Sequence, residues 1–263
     1  MRSLLSLSLI VLLAASAALA APQNKVACVA HRGASAYAPE NTLSAFRKAL
    51  EQGADYLECD VHLSSDGEMM VIHDTTLNRT TNGKGRVVDH TAAQIRALDA
   101  GSWFGPQFKG ERVPTLAELF DLDNGKVGFV VEIKNGPMYY PGIEKKMVDL
   151  IRKRNLQDRV IVISFDHAAL RKVHEIDPGI TTGALYDANI LKCHEIAKNA
   201  HSAWVGPSWE LTTEEAVADA KAHGVKMNLW TVDDPVVMKR FIDLGVNALT
   251  TNKPDVLLKA LGR

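Results

Sequence analysis

Eight short apolar or β-branched runs alternate with helical patterns almost to the C-terminus, and this order predicts an α/β chain folded as a closed (β/α)8 TIM-type barrel. Two further observations bear on that choice. The Gly-rich first turn usual in an open doubly wound sheet is missing, and the second run is followed almost at once by another, with no room for a crossover helix. The parallel runs fall at residues 26–30, 56–63, 129–134, 160–165, 181–186, 203–205, 225–231 and 248–251. Helix ends are legible between them. Leu43, Phe46 and Leu50 form one apolar stripe stopped by Gly53; Thr115 and Glu118 form a capping box behind Pro114; Asp234 before Pro235 starts a late helix.

The irregular element is the run at residues 69–73, which Asp66-Gly67 joins to the second strand as an antiparallel hairpin. With a two-residue turn, Ser65 pairs with Glu68 and Asp60 lies across from His73. Residues 74–114 hold little apolar periodicity but much turn chemistry, in Asn82-Gly83-Lys84-Gly85 and Gly105-Pro106. They read as a small inserted subdomain capping the barrel mouth after the second strand.

The chain's 263 residues are 46% apolar and 23% charged, which suits a globular protein with one sizeable core. Its 30 basic residues against 31 acidic ones leave no field for a nucleic-acid backbone, so nucleic acid is not an expected partner. Met1 and Arg2 precede an apolar run at residues 4–13 that passes into Ala18-Leu19-Ala20, the pattern of a secretory signal peptide spanning residues 1–20 and cleaved near Ala20. The run is short for a membrane span and is broken by Ser6, Ser8 and Ser16, so no stable membrane anchor is expected. The expected product is an exported, periplasmic or secreted protein whose residues 21–263 form one barrel domain. Cys28, Cys59 and Cys193 are too few and too odd in number for a disulfide scaffold; they read as buried thiols, with a Cys28 to Cys59 bridge left open. The sequence sets no oligomeric state.

Alternate side chains of a strand share a face, so in Leu57-Glu58-Cys59-Asp60-Val61 the carboxylates point into the barrel and the apolar residues toward the helices. The same parity sends Glu132 and Lys134 inward. Three inward carboxylates demand positive charge. Either Arg32 and Lys134 neutralise them, or a hard divalent ion takes their oxygens as ligands; three acids against two bases favour the ion. His31 and His73 each end a barrel-facing run, where this fold concentrates its chemistry, and paired imidazoles can accept and donate protons. The other seven histidines read as surface or internally satisfied groups. Arg32 has the planar donor fork that suits two phosphate oxygens, with Glu40 or Glu58 as the plainer partner. Together these groups suit an anionic ester whose transition state gathers charge on oxygen.

The ordered set His31-Arg32-Gly33, Glu40-Asn41-Thr42, Glu58-x-Asp60, Asp66-Gly67 before Val71-Ile72-His73-Asp74, Leu77-x-Arg79-Thr80-Thr81 and Val131-Glu132-Ile133-Lys134 resembles the glycerophosphodiester phosphodiesterase family. The resemblance runs from about Val26 to the C-terminus and includes Val113-Pro114-Thr115-Leu116, Ser164-Phe165-Asp166 and Leu229-Trp230-Thr231-Val232. It implies a phospholipase-C-like barrel that hydrolyses small glycerophosphodiesters, such as glycerophosphocholine, to sn-glycerol 3-phosphate and an alcohol. By position, Glu58, Asp60 and Glu132 correspond to metal ligands for one divalent cation, and His31 and His73 to the acid and base. Arg32 and Lys134 correspond to groups that hold phosphate, and Glu40 and Asn41 to residues that orient the site and its substrate. Trp230 corresponds to an aromatic on the glycerol side, with ordinary barrel packing as the other reading. Ca²⁺ or Mg²⁺ is expected, because carboxylate oxygens suit hard ions. Which histidine is the acid stays open, as does the nucleophile, water or the neighbouring glycerol hydroxyl. The chain departs from the family at Thr251-Asn252-Lys253-Pro254, where an acidic residue is common. A capture module without turnover and a metal-dependent sugar isomerase are the rival readings.

Overall fold

The computed structural model describes residues 26–263, so the expected signal segment lies outside the described residues. Among the described residues nine strands follow in chain order: β1 (Ala27–Ala30), β2 (Tyr56–Leu63), β3 (Met69–Val71), β4 (Gly128–Ile133), β5 (Val160–Ser164), β6 (Thr181–Tyr186), β7 (Trp204–Pro207), β8 (Lys226–Leu229) and β9 (Ala248–Thr251). All but β3 pair in parallel, each with its neighbours in the chain, and β9 returns to pair with β1 through Ala27 opposite Ala248 and Ala30 opposite Thr251. The ring is therefore closed, an eight-stranded TIM-type barrel, with β3 outside it as an antiparallel partner of β2.

Helices follow the caps that the sequence supplies. Thr42 caps α1 (Leu43–Gln52), and Gly53 ends it in the left-handed region. In the insertion, α2 (Ala92–Arg96) begins at a Thr91 and Gln94 capping box. Thr115 and Glu118 form the expected box at α3 (Leu116–Phe120). Then come α4 (Ile143–Lys153), α5 (His167–Ile176), α6 (Cys193–Asn199), α7 (Glu214–Ala222), α8 (Pro235–Asp243) and α9 (Pro254–Ala260). Asp234 accepts from the backbone N–H groups of Val236 and Val237 to start α8.

Strand parity divides the core. Leu57, Cys59, Val61, Phe129, Val131 and Ile133 face outward and pack in one large cluster with helix residues such as Phe46, Leu116 and Val148. Inside the ring, Val29, Val130, Ile163, Leu185 and Ala248 form a separate apolar layer. Above it, register sets Asp60 beside Glu132. The insertion has its own small cluster of Met70, Ile72, Leu77, Val87, Ile95, Ala100 and Val113, which rests on the inward-facing side of the hairpin. All three cysteines are buried and free, so the bridge left open by the sequence is not formed. Among the described residues no helix is long and apolar enough to cross a membrane.

The hairpin register corrects the sequence reading. Val61 pairs with Val71, His62 with Met70 and Leu63 with Met69, so Ile72, not His73, stands opposite Asp60. The turn holds three residues, Ser65-Asp66-Gly67, because the Ser64 N–H donates to Glu68 O and Gly67 adopts φ 79°. A one-residue difference reverses the faces of a paired strand. His73 therefore does not reach the carboxylates by pairing; β3 ends at Val71 and the chain bends beyond it.

Candidate active site

Two successive left-handed residues, Arg32 at φ 54° and Gly33 at φ 83°, turn the chain sharply after β1. Gly33 is required there, since a Cβ would lie 2.5 Å from the Ala45 carbonyl carbon. The turn aims the Arg32 backbone N–H at Glu58 Oε2, 2.8 Å away, and its guanidinium between Glu40 Oε1 at 2.8 Å and Asp60 Oδ2 at 3.3 Å. Asn41, also left-handed at φ 58°, donates to Asp60 Oδ2 at 2.8 Å. Lys134 Nζ lies 2.8 Å from Glu132 Oε1 and 3.5 Å from Asp60 Oδ1.

Glu58, Asp60 and Glu132 are all buried, and each offers an oxygen within 4.8 Å of the others. Such crowding has an electrostatic consequence. Burial, reinforced by the Asp60 charge, pushes Glu58 well above the usual carboxylate range and Glu132 up to about 7. For Asp60 burial acts in the same direction, but Arg32, Lys134 and His73 outweigh it and hold the group below its usual range. Asp60 Oδ1 is buried without a hydrogen-bond partner. Three converging carboxylates that share one lysine, two of them raised by burial and one with an oxygen that only Lys134 approaches at 3.5 Å, are a donor set for a hard divalent cation.

The two histidines are held differently. His31 Nδ1 lies 2.7 Å from Asn252 Oδ1, while the Asn252 amide nitrogen donates to Asp233 Oδ2 at 2.6 Å and Ser35 Oγ donates to the same Asn252 oxygen. An amide oxygen only accepts, so His31 donates from Nδ1 and keeps Nε2 for exchange. Burial, with Arg32 adding to it, pushes His31 down to about 4. His73 Nδ1 instead meets a carboxylate, Asp74 Oδ1, at 2.8 Å. Arg79 donates to both Asp74 oxygens at 2.8 and 2.9 Å and to both Glu40 oxygens at 2.7 and 2.8 Å. Burial also lowers His73, with Asp60 and Asp74 pulling the other way.

One cavity of about 80 Å³ at the mouth is lined by His31, Arg32, Glu58, His73, Glu132, Lys134 and Trp230, together with Phe165. Asp60 lies beneath it. Glu40 and Asn41 do not line this cavity; they contact Arg32 and Asp60 from behind. Trp230 packs edge-on to Phe165 at 5.7 Å and ties its indole N–H to Gly206 O at 2.7 Å, which fixes the ring at the rim.

Several supporting groups escape the sequence reading. Asp74 and Arg79 stand inside quoted motifs, but only the fold brings Arg79 to Glu40, 39 residues away. Asn252 proves to be the partner of His31. His62, read as internally satisfied, is buried with Nδ1 2.7 Å from the Tyr140 hydroxyl and Nε2 2.9 Å from the His73 carbonyl oxygen. Its parity with Glu58 and Asp60 along β2 was the available signal.

The sequence pattern of the glycerophosphoryl diester phosphodiesterase family matches residues 31–256. A glycerophosphodiester phosphodiesterase of Caldanaerobacter subterraneus subsp. tengcongensis is 43% identical over 235 residues, covering 89% of this chain and 97% of that protein. The Bacillus subtilis glycerophosphodiester phosphodiesterase is 36% identical, covering 90% and 86% respectively. An Oleispira antarctica phosphodiesterase solved in complex with the product sn-glycerol 3-phosphate superposes with a TM-score of 0.83 at 29% identity, over 90% of this chain and 97% of that one. The chain thus belongs to the glycerophosphoryl diester phosphodiesterase family and is a phosphoric diester hydrolase.

Proposed function

We propose that this enzyme hydrolyses small glycerophosphodiesters, such as glycerophosphocholine, to sn-glycerol 3-phosphate and an alcohol, using one divalent cation and two histidines. The observation that carries the reading is the convergence of Glu58, Asp60 and Glu132 oxygens within 4.8 Å, in a mouth lined by His31 and His73. Glu58, Asp60 and Glu132 would hold Ca²⁺ or Mg²⁺, the ions that carboxylate oxygens suit. Bound there, such an ion supplies positive charge against the phosphate oxygens as the ester cleaves.

The chain's own groups do the rest. Arg32 and Lys134 add positive charge beside the phosphate, Glu40 and Asn41 keep Arg32 and Asp60 in place, and Trp230 with Phe165 walls the glycerol side. His31, neutral at physiological pH and committed at Nδ1 to Asn252, accepts the nucleophile's proton at Nε2. His73, backed by the Asp74 carboxylate, donates to the departing alkoxide. Residues 1–20 direct export, and the N-terminal sequence of the secreted protein would then begin at Ala21.

The test is turnover of glycerophosphocholine by purified protein with Ca²⁺ or Mg²⁺, and again with a chelator. Release of glycerol 3-phosphate only with the cation supports the reading. Binding without release under either ion favours a capture module and overturns it.

A further inference from the structure

A second group of ligand-type side chains sits on the outer helices, and none of its members lines the mouth. Asp219 and His223 lie four residues apart on α7 and its C-cap, a spacing that puts both on one helical face. His194, at the start of α6, reaches across to them. Its Nδ1 is 2.8 and 2.9 Å from the two Asp219 oxygens, while His223 Nδ1 lies 3.4 Å from Asp219 Oδ1. The two imidazoles stack with centroids 3.7 Å apart and planes 10° from parallel, so one ring, the more exposed His223, must turn out of the stack for both Nδ1 lone pairs to meet one ion. One donor atom from each residue lies within 4.8 Å of the others, and all three side chains keep some exposure, His223 the most at 48%.

We propose that His194, Asp219 and His223 form a second metal site, one for a borderline divalent transition ion such as Zn²⁺, which clasps α6 to α7. The donor chemistry sets the class. Two imidazole nitrogens with one carboxylate oxygen match zinc, nickel or copper, with water completing the shell, and are poor ligands for Ca²⁺ or Mg²⁺. The mouth offers the opposite set, three carboxylates and no nitrogen among those converging oxygens. The two sites therefore sort ions by hardness. On binding, each imidazole offers the Nδ1 lone pair to the ion and carries its proton on Nε2. His223 gives up its present hydrogen bond to the Asp219 backbone oxygen, 2.8 Å away, and Asp219 keeps the His194 backbone N–H at 3.0 Å as support from α6.

The probe is zinc chloride, titrated calorimetrically into the full protein with the mouth saturated by excess Mg²⁺. The expected result is one tight zinc with micromolar affinity, weakened about tenfold or more in His194→Ala and in His223→Gln. Both variants should keep the wild-type circular dichroism spectrum and phosphodiesterase rate. Glu58→Gln should keep the zinc, which places it away from the mouth. Zinc should raise Tm by a few degrees in wild type and not in the histidine variants. Co²⁺ should give a visible d–d spectrum that disappears with the same substitutions. Zinc binding unchanged in both histidine variants, or none in the micromolar range in wild type, overturns the proposal.

Discussion

Replacing Asp74 by Asn separates charge from shape at the point where His73 is held. Asn matches Asp in size and still offers an oxygen to His73 Nδ1, now 2.8 Å from a carboxylate that Arg79 also grips with two hydrogen bonds. A hydrogen bond to a charged group contributes about 1.5–3 kcal/mol. Asp74 and His73 have side-chain exposures of 28% and 32%, so solvent screening favours the lower part of that range. The expected loss is about 10- to 50-fold in kcat, with KM nearly unchanged, because the group acts on proton transfer rather than on substrate affinity. The pH profile tests the role more sharply than the rate. The Asp74 charge favours the protonated imidazole, so its removal lowers the His73 pKa further. If His73 donates a proton, the alkaline limb of kcat against pH moves to lower pH. The assay is continuous coupled detection of glycerol 3-phosphate from pH 5 to 9. An unchanged kcat and alkaline limb would refute the reasoning; a shift confined to the acid limb would make His73 the base and exchange the roles with His31.

Four further outcomes follow from the geometry. Glu58→Gln abolishes cation-dependent turnover while far-ultraviolet circular dichroism stays native, and near-normal rate in that variant sinks the ligand assignment. Burial and the Asp60 charge raise the folded-state pKa of Glu132 from 4.5 to about 7, so its contribution to stability is present at low pH and lost as pH climbs through that value. The Tm gain on adding Ca²⁺ to chelator-treated protein therefore grows between about pH 5 and pH 8; a flat gain argues against a carboxylate site. Gly33→Ala forces a Cβ against Ala45 in a left-handed turn, and is expected to cost at least tenfold in kcat by displacing His31 and Arg32, measured beside Tm. Phe46→Ala empties a fully buried place between α1 and the barrel and should destabilise by about 3–5 kcal/mol, read in denaturant melts.

Much of the architecture is legible because parity and capping are local. Tyr56 to Leu63 announces its strand, its inward acids and its outward apolar face from eight consecutive residues. Thr115 with Glu118 and Asp234 with Pro235 mark helix starts by chemistry that needs no distant partner. The hairpin register fails for a reason equally specific: Asp66-Gly67 fits a two- or a three-residue turn, and only the Ser64 to Glu68 bond distinguishes them. Among the candidate site residues, strand ends placed His31, Glu58 and Glu132 at the mouth. Asn252 and Asp233, which hold His31, come from the far end of the chain. Their role depends on ring closure between β9 and β1, which local sequence does not encode.

The Arg79 bridge ties two parts of the molecule, the insertion and the loop after β1. Its guanidinium, carried by the insertion, grips Asp74, which holds His73, and Glu40, which holds Arg32. The insertion and the mouth are thus mechanically coupled. A chimaera that borrows the 74–114 segment from a relative inherits a working latch only when the graft brings an arginine at this position.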